Sequence, residues 1–423
     1  MPHSLCQTIW KGCRVMLLRY ALLTALVAGI GSHTAFGQTD AVSAPNQNEI
    51  IEKGEYLFRA ADCAACHTAP DSKKLTGGRP FPLPFGTVYA VNITPDTQSG
   101  IGGYTDAEWL KALREGVGRG GKHLYPVMPY TAYTLLSDDD ALAIKAYLFS
   151  LHPEKAETPQ NTLVFPFNQR WGMVFWNWLN NPNKRFEPDS NRSPEWNRGA
   201  YLTEALGHCS QCHTPRNFTY GLSSKAYEGA VQVGWKAYNL TSDKEHGLGD
   251  WTDEQLSSYL STGKAVGRGA ASGPMAEAVE HGLRYMTPSD ISAMVTYFRS
   301  IAPIAKGPVA QDMPPANAPL STTYKRGEAL FAQACAGCHL ANGLGRQSDW
   351  AALAGAHSVS DPAASNIVQV LLTGTSLETD QGKVFMPSFE KSYTADELAV
   401  LSSYILAHFG GVKVDVPASE FKK

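Results

Sequence analysis

Cysteine and histidine recur at one spacing in three places along this 423-residue chain. Two of its eight cysteines, Cys6 and Cys13, lie in the first 37 residues, and the others all belong to Cys-x-x-Cys-His motifs. The motifs are Cys63-Ala64-Ala65-Cys66-His67, Cys209-Ser210-Gln211-Cys212-His213 and Cys335-Ala336-Gly337-Cys338-His339. Because this composition gives roughly 0.004 chance matches per chain, three matches indicate one chemistry used three times.

The spacing suits covalent attachment of c-type haem. On a helical turn, cysteines at i and i+3 face the same way, so each can form a thioether with a haem vinyl group. The histidine at i+4 can then place its imidazole under the iron. A thioredoxin-like redox pair would not explain the histidine in every copy, and a zinc site would need paired clusters in one fold. The sequence therefore predicts three covalently bound haem c groups.

A methionine near each motif is the predicted second iron ligand. Three methionines stand beside proline between a motif and the next capped helix: Met128, Met275 and Met386. They lie 8, 11 and 7 residues before the apolar residue that precedes each cap, so their register repeats. Met286 and Met294 fall outside that register and are expected to pack in the core. An iron with histidine and methionine ligands is coordinatively filled, so it passes electrons and binds no substrate.

Histidine is the competing second ligand, but the spare histidines share no register. His123, His281 and His357 are therefore expected as surface or loop residues. A multihaem redox enzyme such as a peroxidase would need an iron with a vacant position, and the three matched methionines argue against one.

The segments around the motifs repeat as well. A short helix precedes each motif, and a glycine near its start is expected to let another helix cross closely. This glycine is Gly54, Gly199 or Gly327. A helix with a capping box and one apolar face follows each motif, beginning after Ser137, Thr287 or Thr394. The sequence thus predicts a mainly α fold of three tandem class I cytochrome c domains with loop-rich haem pockets.

The predicted domain boundaries follow these repeats. They give a signal peptide at 1–37, cytochrome c domains at 45–152, 196–302 and 323–412, and linkers at 153–195 and 303–322. The first segment contains Lys11, Arg14 and Arg19, no acidic residue, and an apolar run shorter than the roughly 20 residues that a bilayer needs. Cleavage near Gly37-Gln38 and export are therefore predicted, with an uncleaved anchor as the alternative.

The charge of the chain excludes one class of partner. Lys plus Arg is 36 and Asp plus Glu is 39, which gives a formal charge of −3 with no basic run. Nucleic acid is therefore not an expected partner.

Two further segments have no role in the haem motifs. Phe165 to Leu179 contains Trp171, Trp176 and Trp178 at helical spacing. This segment is expected either to pack between the first two haem domains or to contact a partner subunit, quinone or membrane. The Asn-x-Thr elements at Asn92 and Asn239 are expected as turn formers or bonds to haem edge groups rather than as glycan sites.

The whole pattern resembles a known family. Three Cys-x-x-Cys-His modules after an export signal are similar to the cytochrome c subunits of periplasmic, membrane-bound dehydrogenases of oxidative bacteria. These include the quinoprotein alcohol dehydrogenases and the flavin-dependent gluconate, sorbitol or fructose dehydrogenases. Other segments that carry the resemblance are Pro84-Phe85-Gly86-Thr87-Val88-Tyr89, Leu124-Tyr125-Pro126-Val127-Met128-Pro129-Tyr130, Glu195-Trp196-Asn197-Arg198-Gly199-Ala200-Tyr201-Leu202 and Gly273-Pro274-Met275-Ala276-Glu277.

The resemblance implies a non-catalytic electron-transfer subunit. It would take electrons from a catalytic quinoprotein or flavoprotein dehydrogenase subunit and pass them to ubiquinone, at the periplasmic face of the inner membrane. The implied haem anchors are Cys63, Cys66, Cys209, Cys212, Cys335 and Cys338. The implied axial ligands are His67, Met128, His213, Met275, His339 and Met386. A free periplasmic electron carrier, which needs no partner subunit, is the alternative, and co-purification with a dehydrogenase would separate the two.

Overall fold

The computed structural model describes residues 46–309, 322–346 and 348–422. The signal peptide predicted at 1–37 and much of the linker predicted at 303–322 lie outside these residues. The prediction of a mainly α fold is confirmed, since helices dominate and the described strands pair only as four two-stranded antiparallel sheets.

Three successive modules contain the three motifs. The first has helices α1 (Gln47–Ala60), α2 (Cys63–His67), α3 (Asp106–Glu115), α4 (Tyr130–Tyr133) and α5 (Asp138–Ser150), and strands β1 (Pro80–Leu83) and β2 (Gly86–Tyr89). Helix α6 (Gly172–Asn180) follows in the segment that joins the first two modules.

The second and third modules repeat this plan with different hairpins. The second has α7 (Pro194–Tyr201), α8 (Ser210–His213), β3 (Ala230–Gln232), β4 (Trp235–Ala237), α9 (Asp253–Thr262), β5 (Lys264–Ala265), β6 (Gly269–Ala270), α10 (Pro274–His281) and α11 (Pro288–Arg299). The third has α12 (Thr322–Ala334), α13 (Ala336–His339), α14 (His357–Ser360), α15 (Ser365–Thr373), β7 (Thr375–Thr379), β8 (Gly382–Met386) and α16 (Ala395–Phe409).

The predicted close crossing of helices is confirmed in all three modules. The crossing pairs are α1 with α5, α7 with α11, and α12 with α16. A Cβ on Gly54 would lie 2.0 Å from the carbonyl oxygen of Ala143, and one on Gly199 would lie 1.9 Å from that of Ala293. In the third module, a Cβ on Gly327 would lie 2.5 Å from the Cβ of Tyr404. Glycine is therefore required because the two backbones touch.

The three last helices begin at the predicted caps, but they are capped in two ways. The hydroxyls of Ser137, Thr287 and Thr394 each accept the backbone N–H three residues on. Only Thr394 completes a capping box, with Glu397 bonding back to it. In the first two modules the acid at this third position is instead bonded to the neighbouring module, as described below.

The apolar core is divided unevenly among the modules. Buried residues of the first and second modules form one continuous cluster, which Leu377 of the third module also joins. The third module has its own cluster around Phe331, Leu406 and Phe409. In the part of the chain that the structure describes, no helix is long and apolar enough to cross a bilayer.

Candidate functional site

Each Cys-x-x-Cys-His motif forms a short helical turn that follows the first helix of its module, in the second module after a π-helical stretch at Leu202–Leu206. The turn is closed by the backbone N–H of the histidine, which donates to the carbonyl of the first cysteine from His213 (3.0 Å) and from His339 (2.9 Å). In the first module the whole motif is helix α2. One turn of helix brings both cysteines and the histidine onto one side, as covalent haem attachment requires.

The three motif histidines are oriented in the same way. His67 Nδ1 bonds the carbonyl of Val91 at 2.7 Å, His213 Nδ1 that of Tyr238 at 2.6 Å, and His339 Nδ1 that of Ala351 at 2.7 Å. A carbonyl can only accept, so Nδ1 carries the proton and Nε2 is left with a free lone pair. Burial also lowers the pKa of each imidazole. Each ring is thus a neutral base that could bind iron through Nε2.

Most of the motif cysteines lack the properties of reactive thiols, although Cys212 and Cys338 are exposed. Each of the six is free of a disulfide. Burial raises the pKa of Cys66 and of Cys209 to about 12, and that of Cys335 to about 11. Thioredoxin-like chemistry needs a lowered thiol pKa. Among the described residues no group of three or more His, Cys, Asp or Glu side chains could hold a metal ion.

Two buried side chains, one in each of the first two modules, have donors without a partner among the described residues, and such donors suit the carboxylates that a haem carries. Arg114 is buried, and its Nη1 donates to Asp138 at 2.6 Å while Nε and Nη2 have no protein partner. In the second module the indole N–H of buried Trp251 is also without a protein partner. Unpaired buried donors are costly, and a propionate could accept from them. The residues present therefore fit haem c.

The methionines fall into two groups. Met286 and Met294 are buried in the shared core, as expected of packing residues. Met128 lies in the loop before α4, Met275 is the second residue of α10, and Met386 ends β8. These three are half-buried at the edge of the apolar clusters. Their repeated sequence register thus occurs on three different local structures, and their ligand role stays a prediction.

One of the spare histidines departs from its predicted place. His357 begins α14 and is half-buried, with its ring 5.5 Å from that of Tyr238 and 6.3 Å from that of Trp251. Burial lowers its pKa to about 4. The prediction of a surface or loop residue is therefore wrong for His357, because the third module packs against the second there.

The first two modules exchange matching hydrogen bonds. Tyr56 of the first donates to Asp290 of the second at 2.5 Å, and Tyr201 of the second donates to Asp140 of the first at 2.6 Å. Each tyrosine lies two residues after the crossing glycine, and each aspartate is the third residue of a last helix. The third module has Ala329 at the tyrosine position. The two modules thus form a reciprocal pair that the third cannot join in the same way.

The same junction brings the first two motifs together. The hydroxyl of Tyr133 donates to the carbonyl of Ala61 at 2.8 Å, and the ring of Tyr133 meets that of His208 edge-on at 5.6 Å. Ala61 lies two residues before the first motif, and His208 lies directly before the second. Gln211, inside the second motif, donates to Thr131 at 3.2 Å. Sequence reasoning missed this junction, although the repeated tyrosine and aspartate positions were a signal for it.

The second and third modules meet through a different set of contacts. The backbone N–H of Lys236 donates to the Asn366 side chain at 2.7 Å, and Asn366 Nδ2 donates to the carbonyl of Lys236 at 3.0 Å. Arg284 pairs with Asp380 at 2.5 Å. The second module therefore contacts both of the others.

The Asn-x-Thr elements are turn formers. Asn92 and Asn239 are buried, and each side-chain oxygen accepts the N–H of the threonine two residues on, at 2.8 Å. Asn92 Nδ2 donates to the carbonyl of Glu154, and Asn239 Nδ2 donates to that of Ile304. Each asparagine thus hydrogen-bonds the chain segment that follows the module's last helix. Because both side chains are buried, they are not glycosylation sites.

Comparisons with known proteins agree with this geometry. A family model of cytochrome c matches residues 51–152, and one described as cytochrome C oxidase, cbb3-type, subunit III matches residues 322–405. The fructose dehydrogenase cytochrome subunit of Gluconobacter japonicus is 35% identical, covering 95% of this chain and 88% of the relative. The gluconate 2-dehydrogenase cytochrome c subunit of Pantoea cypripedii is 33% identical, covering 94% of this chain and 93% of the relative. The alcohol dehydrogenase (quinone) cytochrome c subunit of Gluconobacter oxydans is 32% identical, covering 94% of this chain and 86% of the relative.

Proposed function

The chain belongs to the family of cytochrome c subunits of dehydrogenases, and from that premise we propose that it carries electrons from a catalytic dehydrogenase subunit to ubiquinone. Membership of this family means that its cytochrome c domains bind haem c covalently. When bound, haem c supplies reversible one-electron exchange at its iron.

The observation that carries the proposal is the threefold Nδ1 bond from a motif histidine to a backbone carbonyl. It supports a count of three haems, since each histidine is held as a neutral ligand in a fixed tautomer. The proposed anchors are Cys63, Cys66, Cys209, Cys212, Cys335 and Cys338. The proposed axial ligands are His67, Met128, His213, Met275, His339 and Met386. The proposed domains are 45–152, 196–302 and 323–412.

The contacts between modules support transfer along the chain. The first and second motifs meet through Tyr133, which bonds the Ala61 carbonyl and contacts the His208 ring, and the second module also contacts the third. This order makes the second module the connection between the other two. Buried, rigid surroundings suit electron transfer because they limit the reorganisation that accompanies a change of iron charge.

The proposed location is the periplasm, at the periplasmic face of the inner membrane. The predicted signal peptide supports this location. The partner is a catalytic subunit of quinoprotein or flavoprotein type that oxidises an alcohol, a sugar or an aldehyde.

The test is a two-step reduction with the purified haem-loaded chain. We expect it to co-purify with a dehydrogenase subunit, to be reduced only when that subunit's substrate is added, and to be reoxidised by a soluble ubiquinone analogue. Absorption of the ferrous haem follows both steps. A chain that binds no dehydrogenase but exchanges electrons with soluble carriers would instead be a free periplasmic cytochrome.

A further inference from the structure

A row of aromatic and aliphatic side chains is exposed along and beside α6. We call it the aromatic strip and define it by Phe165, Trp171, Phe175, Trp178 and Leu179. Each of these side chains is more than 60% exposed, and Trp178 reaches 81%. Soluble domains rarely leave a contiguous apolar patch of this kind uncovered, so the strip indicates a contact surface.

Helix α6 turns its polar side chains toward the protein and most of its apolar side chains toward solvent, which is the reverse of a typical amphipathic helix. None of its residues is buried, and its polar side chains hold it to the protein. Asn177 Nδ2 donates to the carbonyl of Glu115 at 2.9 Å, and Asn177 Oδ1 accepts the hydroxyl of Tyr130 at 2.7 Å. Trp176 is the exception among the tryptophans, because its indole N–H donates to the carbonyl of Thr219 at 2.8 Å. Of the two roles expected for this segment, packing between the first two modules fits Trp176, whereas the exposed Trp171 and Trp178 fit the external contact.

The exposed apolar surface continues onto the neighbouring modules. The loop that accepts from Trp176 also carries Phe218, which is 96% exposed, and Tyr220. Phe85 stacks on Phe167 at 4.1 Å and meets Tyr220 edge-on at 5.7 Å. Side chains from the first module, the joining segment and the second module thus share one surface.

Cations predominate beside the strip. The segments 116–137, 158–186 and 205–227, which contain the strip and residues bonded to it, hold seven Lys or Arg and no Asp or Glu, while Glu115 and Glu187 lie just outside their ends. Arg119, Lys122 and Lys184 among these cations are exposed. The region therefore complements an anionic surface.

We propose that the aromatic strip inserts into the headgroup region of an anionic phospholipid bilayer. The inference rests on the proposed function, which places the chain at the membrane. Tryptophan and phenylalanine favour the membrane interface, and cations beside an apolar helix face bind anionic lipid. Aromatic side chains as exposed as Phe218 and Trp178 reach beyond the protein surface, which suits insertion into lipid better than contact with a flat protein surface.

The test is flotation of the haem-loaded chain with vesicles. One set contains phosphatidylcholine with phosphatidylglycerol, and the other contains phosphatidylcholine alone. We expect binding to the anionic vesicles, weakened by salt. The combined substitutions Trp171→Ser, Phe175→Ser and Trp178→Ser should reduce this binding by at least about tenfold. Trp176 is left unchanged because its indole bonds the protein.

A matched control replaces three exposed valines elsewhere in the second module: Val231→Ser, Val233→Ser and Val266→Ser. It should bind vesicles within about twofold of the unchanged chain. Unchanged haem spectra in both variants establish that they fold. If the strip variant binds anionic vesicles as well as the control does, or if the unchanged chain does not bind them, the proposal is wrong.

A parallel measurement separates this proposal from the proposed function. In detergent solution, we expect the catalytic subunit to reduce the strip variant and the unchanged chain alike. If the variant instead loses the catalytic subunit, the strip is a protein interface and the membrane proposal is overturned. If the catalytic subunit reduces neither chain, the proposed function fails, while vesicle binding is still judged by flotation.

Discussion

At the scale of single residues, the structure supports the axial histidines more strongly than the axial methionines. Each motif histidine has its Nδ1 bonded to a backbone carbonyl. The methionines have no such common partner, and Met275 lies on a helix whereas Met386 ends a strand. Met275 and Met286 belong to the same module and differ in burial, so together they offer the sharpest test of the ligand assignment.

The prediction is that Met275→His lowers one haem potential and Met286→His lowers none. Thioether sulfur is a soft ligand that favours ferrous iron, so its replacement by imidazole should lower that potential by on the order of 0.1 V. The iron should stay low-spin. Spectroelectrochemical titration measures the potentials, and Met128→His and Met386→His should each affect a different haem. A shift with Met286→His and none with Met275→His would mean that the ligand in the second module is misassigned.

At the scale of elements, pairing of the first two modules depends on where their first and last helices meet. Tyr56 reaches from α1 to Asp290 at the start of α11, and Tyr201 reaches from the end of α7 to Asp140 at the start of α5. Burial alone would raise the pKa of Asp290, but hydrogen bonds from Arg198 and Tyr56 outweigh it and lower that pKa. Asp290 therefore stays ionised and stabilises the junction until the pH falls through that lowered value.

The matching substitutions Tyr56→Phe and Tyr201→Phe should each destabilise the pair. Each removes one hydrogen bond to a carboxylate at a partly buried site, so the free energy of unfolding should fall by about 1–2 kcal/mol. Urea unfolding of the haem-loaded chain measures this. Tyr89→Phe is the control, because the Tyr89 hydroxyl bonds no group among the residues that the structure describes. Losses no larger than that of the control would show that the reciprocal bonds contribute nothing.

At the scale of the whole molecule, the second module connects the other two. It shares a core and a motif junction with the first, and contacts the third through Asn366 and Asp380. The third module has its own core. This arrangement lets three similar modules act as one unit without three equal interfaces.

The corresponding prediction concerns the composition of the mature protein. We expect intact mass spectrometry to show a chain that begins near Gln38 and carries three covalent haems. Replacing both cysteines of the third motif, Cys335→Ala and Cys338→Ala, should remove one haem, while the first two modules keep theirs because their core is shared. Two haems in the unchanged protein, or an intact first segment, would contradict the motif and signal-peptide predictions.

The sequence by itself determined the haem chemistry, the mainly α fold and the crossing glycines, because each depends on spacing along one helix or on a repeat compared with itself. Cys-x-x-Cys-His needs a single turn, and Gly199 needs only its register with Gly54. The tertiary structure alone decided which modules pair. It also decided that His357 is enclosed and that the aromatic face of α6 points outward. These outcomes depend on contacts between residues far apart in the chain, such as Tyr56 with Asp290, and on bonds that offset the cost of leaving apolar side chains exposed. Neither the long-range contacts nor these bonds can be predicted from local periodicity.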